Sequence, residues 1–154
     1  MSSIAITPVR RTVGVDCAVE HAWEVFTTGI FTWWPTETHS LEGEDVRDIV
    51  FEGQVGGQVY EVGAGGERHV WADVLVWEPP SRLVLGWNVG AKRGEPTEVE
   101  VRFAPFEDGT GTRVELEHRH WERWEDGEGA RANYDTGWEF VLGRFAEYAN
   151  GGAT

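Results

Sequence analysis

The chain has 154 residues, 40% hydrophobic and 26% charged, which is the make-up of one ordinary globular domain, 1–154, with a core of its own. With 13 Lys and Arg against 27 Asp and Glu, the formal charge of -14 excludes a phosphate-backbone partner and disfavours an anionic membrane surface. No apolar run approaches the roughly 20 residues of a membrane span, residues 1–15 carry no signal-peptide pattern, and Cys17 is alone, so the expectation is a cytoplasmic protein without a disulfide or a thiolate metal cluster.

Taken in order, residues 9–15 alternate weakly and predict a strand. Val19, Ala22, Trp23 and Phe26 then fall at helical steps, with Asp16 or Ala18 as the cap and Gly29 as the stop. Ile30 to Trp34 predicts a second short helix that Pro35 ends. From Val46 the period becomes two. Strands are predicted in RDIVFEG, in VGGQVYEV after a turn at Gly56 and Gly57, in RHVWADVLVWE up to Pro79 and Pro80, and in RLVLGWN before a loop through Gly90 and Gly94. TEVEVRFAPF alternates most cleanly, with Val99, Val101 and Phe103 inward and Glu98, Glu100 and Arg102 outward. In TRVELEHRHW the same period sets Val114, Leu116, His118 and His120 on one face.

The stretch 130–150 is the one long amphipathic helix. Tyr134, Trp138, Val141, Leu142, Phe145, Tyr148 and Ala149 recur at steps of three and four, and at 1.5 Å per residue the helix spans about 30 Å. The elements together predict an α+β fold. A curved antiparallel sheet of six to seven strands wraps the C-terminal helix, and two short helices follow the first strand.

Six segments also carry a resemblance: VEHAWEVFT at 19–27, FTWWP ending at Pro35, VGGQVYE at 55–61, VLVWEPPSRLVLGW at 74–87, VELEHRHWE at 114–122, and GWEFVL opening at Gly137. In this order they resemble the START/Bet v 1-like (SRPBCC) superfamily, in the branch similar to the C-terminal domain of the Hsp90 ATPase activator. The resemblance implies a helix-grip fold with a cavity between sheet and helix, used across the superfamily for lipids, plant metabolites, polyketide intermediates or aromatic substrates. It also implies that a homodimer is open to the chain. Hsp90 activation itself transfers poorly, since one fold takes up the sequence.

Within that frame the candidate ligand-binding residues are Trp33, Trp34, Tyr60, Trp87, Phe103, His118, His120, Tyr134 and Trp138. Aromatic rings with a few polar tips suit a small hydrophobic or aromatic molecule, although core packing is the commoner role of each ring alone. No cofactor is expected. An enzyme reading assigns proton transfer to His118, His120 and Glu61. Adding His39 and His69 to these gives metal-ligand chemistry but no local motif such as HExxH, so no metal is expected either. A third reading is a co-chaperone or interaction module that docks through the exposed acidic residues with Trp121 and Trp124, two rings for which packing under the loop is an equal rival. The acidic run 122–128 reads as a solvated loop before the positive end of the final helix.

Overall fold

A computed structural model of the chain describes residues 6–89 and 95–152, so the loop expected through Gly90 and Gly94 and the first five residues lie outside the described residues. The elements are β1 (Val9–Val15), α1 (Val19–Phe26), α2 (Ile30–Trp33), α3 (Thr36–His39), β2 (Asp48–Phe51), β3 (Gln58–Val62), β4 (Arg68–Glu78), β5 (Arg82–Trp87), β6 (Thr97–Pro105), β7 (Thr112–Arg119) and α4 (Gly127–Glu147). All seven strands form one antiparallel sheet in the order β1-β7-β6-β5-β4-β3-β2. The sheet curls around α4, which is the helix-grip architecture. Among the described residues no helix is long and apolar enough to cross a membrane.

Of the two expected caps it is Ala18, with extended backbone and no side-chain cap bond, that precedes α1. Two helices differ from expectation. Pro35 does stop α2, but a further single turn, α3, starts directly after it and carries His39. The last helix begins at Gly127, three residues before the expected Ala130, and its start runs against the Trp121 backbone. A Cβ at Gly127 would lie 2.0 Å from the Trp121 carbonyl oxygen, so only glycine permits that approach. After Glu147 the chain closes in a π-type turn, Tyr148–Gly152.

The concave face divides into two ends. At one, α1 and α2 plug the sheet with rings that touch one another. Trp23 meets Trp77 at 4.9 Å and Phe103 at 5.1 Å, and Phe26 meets Trp33, Phe103 and Phe145 at 5.2–5.5 Å, mostly edge to face. Such contacts each add about 0.5–1.5 kcal/mol beyond area burial. Among the described residues, the other end is capped by α3, the following loop and the first turns of α4.

On the convex face the alternation of β6 holds as expected, but Glu100 is not simply wet. It is 6% exposed and accepts hydrogen bonds from Nε of Arg82 at 2.6 Å, Nε of Arg102 at 2.9 Å and Nη1 of Arg119 at 2.6 Å. Arg119 continues to Glu98 and Glu117, and Glu117 to Arg10, so the ion pairs cross four strands. Burial alone would raise the Glu100 carboxyl, but the three guanidinium hydrogen bonds outweigh it and hold it at about 2. The lowered value means stability that is present above the ordinary 4.5 and is lost as the pH falls toward about 2. Glu100→Gln is therefore expected to destabilise the protein near neutral pH by on the order of 3 kcal/mol, with the gap from wild type closing between those two pH values. Urea unfolding across the range tests it; a gap independent of pH would contradict the assignment.

Candidate functional site

The open end of the grip holds a cavity of about 280 Å³ lined from four directions. Trp71 of β4, Trp87 of β5 and Val89 form the floor. Tyr134, Trp138 and Val141 of α4 form one wall, Trp34 the inner end, and Thr38, His39, Ser40 and Leu41 the rim, with Asn133 and Gly137 opposite. The volume falls just below the roughly 300–1,000 Å³ of most ligand sites.

The indole N–H groups are what define this cavity chemically. Trp34 Nε1 donates to the His39 carbonyl at 2.8 Å, Trp71 Nε1 to Glu61 Oε1 at 2.8 Å, Trp87 Nε1 to the Tyr134 hydroxyl at 3.1 Å, and Trp138 Nε1 to His118 Nδ1 at 3.0 Å. An indole has one donor and no acceptor, so each wall ring has its polar atom tied to protein. What remains to face a ligand is π surface.

His118 stands behind this wall, not in it. It is fully buried, and because Trp138 can only donate, Nδ1 must be the acceptor and the proton sits on Nε2. Nε2 then donates to Thr97 Oγ1 at 2.7 Å, and that hydroxyl donates to the Trp87 carbonyl at 3.1 Å. Both ring nitrogens are used. Burial pushes the imidazole pKa well below its ordinary value, so the residue is neutral and has no lone pair for a substrate proton.

Four of the nine residues expected to bind a ligand line the cavity: Trp34, Trp87, Tyr134 and Trp138. The other five are placed elsewhere. Trp33 packs on Phe26 and Phe145 and donates to the Val25 carbonyl, and Phe103 lies under α1. Tyr60 alternates with inward-facing Glu61 and lies beneath the Arg68 guanidinium, 4.8 Å from its ring centre. His120 falls one residue past β7 in a left-handed conformation, φ 74°, which breaks the period of two and turns its ring toward Glu98 and Glu122.

Glu61, the expected acid partner, is also fully buried. Its carboxylate accepts the backbone N–H of Leu41 at 2.7 Å and of Glu42 at 2.9 Å as well as the Trp71 indole, so it ties the rim loop to the floor. His69 pairs with Glu42 at 2.7 Å. Among the described residues no three His, Cys, Asp or Glu side chains gather as a metal site. Trp121 and Trp124 are buried, donating to the carbonyls of His118 and Glu95, which corrects their reading as an exposed docking pair.

Sequence reasoning missed Thr38, His39 as a cavity residue, Ser40, Leu41, Trp71, Val89, Asn133, Gly137 and Val141. The alternation of β4 hid Trp71: where Val59 and Tyr60 of β3 pair with Ala72 and Val70, Trp71 is an extra residue, and this bulge lets both Trp71 and Val74, three apart, turn inward. The rim had no signal, because nothing periodic marks a loop.

Residues 16–150 match the family model of the Activator of Hsp90 ATPase homolog 1-like protein. The chain belongs to this family. Among solved structures, the chain is similar to an anthrahydroquino-γ-pyrone synthase, Txn09, 34% identical over 93% of this chain and 97% of that one, with a TM-score of 0.60. CalC from Micromonospora echinospora, a self-sacrificing resistance protein, is 28% identical over 94% of each chain with a TM-score of 0.66. The Aha1 dimer from Colwellia psychrerythraea, at 17% identity over 94% of this chain and 97% of that one and a TM-score of 0.68, shares the fold. A search of curated proteins yields no match to the chain.

The hydrogen-bonded histidine generates a stability prediction. His118→Leu leaves the Trp138 indole and the Thr97 hydroxyl short of a partner, a loss of about 2–4 kcal/mol at neutral pH. Because the folded pKa is lowered, the wild type loses stability as pH falls below the ordinary 6.5, when the unfolded chain takes up the proton. Between about pH 7.5 and about pH 5.5 this residue accounts for about 1.4 kcal/mol, which the leucine variant lacks. Urea unfolding of both proteins at the two pH values measures it, and parallel losses would refute the buried neutral state.

Proposed function

We propose that this protein binds a flat aromatic molecule in the cavity between α4 and the β4–β5 part of the sheet, in the cytoplasm as its composition favours. The observation that carries the reading is the set of four cavity indoles whose N–H groups are all bonded to protein. Such walls reward area and planarity. Burial contributes about 25 cal/mol per Å² of apolar surface, and edge-on or offset ring contacts add to it. The 34% identity to a synthase named for an anthrahydroquino-γ-pyrone supports a polycyclic aromatic as the ligand class.

The same similarity favours a second reading, in which the bound molecule is transformed as well as held. That chemistry does not run through His118 or Glu61, whose polar atoms are bonded within the protein, nor through His120, which faces away. The co-chaperone reading loses Trp121 and Trp124, which are buried, and keeps only the acidic residues as a docking surface.

Gly137 offers a test that spares the core. It sits inside α4 on the cavity side, and a Cβ there would meet only His39, at 3.9 Å. Gly137→Leu therefore fills the cavity from the helix while improving helix propensity by roughly 0.5–1 kcal/mol. Titration of the wild type with 2-hydroxyanthraquinone, followed by quenching of tryptophan fluorescence, is expected to show saturable binding. The variant is expected to lose at least tenfold in affinity with an unchanged or higher melting temperature. Equal binding by the folded variant would move the ligand elsewhere.

A further inference from the structure

The four wall indoles leave the question of which group reads a polar substituent on the ligand. Ser40 Oγ is bonded to the Thr36 carbonyl and accepts the Gly43 N–H at 2.9 Å, so it is closed to a ligand. His39 differs. Its Nδ1 is 2.6 Å from Thr38 Oγ1, while Nε2 has no hydrogen-bond partner among the described residues and lies on the edge of the ring that overlooks Gly137.

His39 is also firmly held. Its N–H donates to the Pro35 carbonyl at 2.9 Å, its own carbonyl receives the indole of cavity residue Trp34, and its ring stacks on Phe140 at 5.2 Å and 23°. A side chain fixed by backbone, neighbour and ring presents Nε2 at a set place. Such preorganisation reduces the entropy lost on binding.

We propose that His39 Nε2 is the specificity-determining contact of the cavity, hydrogen-bonding a hydroxyl oxygen on the aromatic ligand. This rests on the aromatic-binding reading and deepens it. A hydroxyl suits either tautomer, since it both donates and accepts, and Thr38 can likewise take either part toward Nδ1. Partial burial lowers the His39 pKa, with Glu37 opposing, so the ring is neutral near pH 7 and able to take either role. An unsubstituted aromatic leaves Nε2 without a partner, and a hydroxylated one without His39 buries its hydroxyl unpaired.

Two probes of one ring system, 2-naphthol and naphthalene, separate the contact from plain burial. Transfer from water alone favours naphthalene, so preference for the naphthol requires a partner. By calorimetry the wild type is expected to bind 2-naphthol about tenfold more tightly than naphthalene. His39→Phe, which keeps a ring on Phe140, is expected to erase the preference while holding naphthalene as before, and His120→Phe, outside the cavity, to keep it. A preference that survives His39→Phe, or its absence from the wild type, overturns the assignment while leaving the cavity reading in place. Failure of the wild type to bind naphthalene, 2-naphthol and 2-hydroxyanthraquinone alike overturns both.

Discussion

The hydrogen bond from the Trp138 indole to Nδ1 of His118 joins the final helix to the sheet, and the geometry of the open end depends on it. Through Nε2 the same imidazole fixes Thr97 of β6, and Thr97 fixes the end of β5 at Trp87. One helix and three strands are thus referred to a single ring. Trp87 and Trp138, both tied into this network, are held 5.4 Å apart, while Trp121 packs on His118 at 4.0 Å. A charged imidazole would have no acceptor for its second proton there. Burial therefore selects the neutral form and makes the histidine a strut of the cavity.

The two ends of the grip use aromatic side chains differently. At the closed end Trp23, Phe26, Trp33, Phe103 and Phe145 fill each other's gaps and leave no room. Toward the open end Trp34 continues from Trp33 at 5.7 Å and meets Trp71 at 4.8 Å, but the rings there stand around a cavity instead of filling it. The rim loop covers part of that cavity and is itself tied down by the Glu61 carboxylate. Deleting that tether would release the two backbone N–H groups of Leu41 and Glu42 and the Trp71 indole together.

Legibility in the sequence followed periodicity. The seven strands, the early helices and the long helix were readable because alternation and three-to-four spacing report which face is covered, and the order of the segments resembled one family. Trp34, Trp87, Tyr134 and Trp138 were found as cavity residues for that reason. His120 was assigned by extending a period of two one step past the strand, where a left-handed turn ends it. Tyr60 failed for another reason: β3 alternates regularly, so with Glu61 inward Tyr60 takes the opposite face, under the Arg68 guanidinium. Trp33 and Phe103 were rightly inward but belong to the plugged end, a distinction that only three-dimensional packing makes. His39 stood in a single-turn helix after a proline, with no neighbours at a regular step to point to the cavity.

Nine indole N–H groups give the protein nine separate reporters, and a nitrogen–proton correlation spectrum recorded during titration with 2-hydroxyanthraquinone tests the location of the site directly. The account predicts that the resonances of Trp34, Trp71, Trp87 and Trp138 move together on saturation, whereas those of Trp23, Trp33 and Trp77 at the closed end stay in place. Movement confined to the closed end, or saturable binding that leaves all four cavity indoles unshifted, would contradict it.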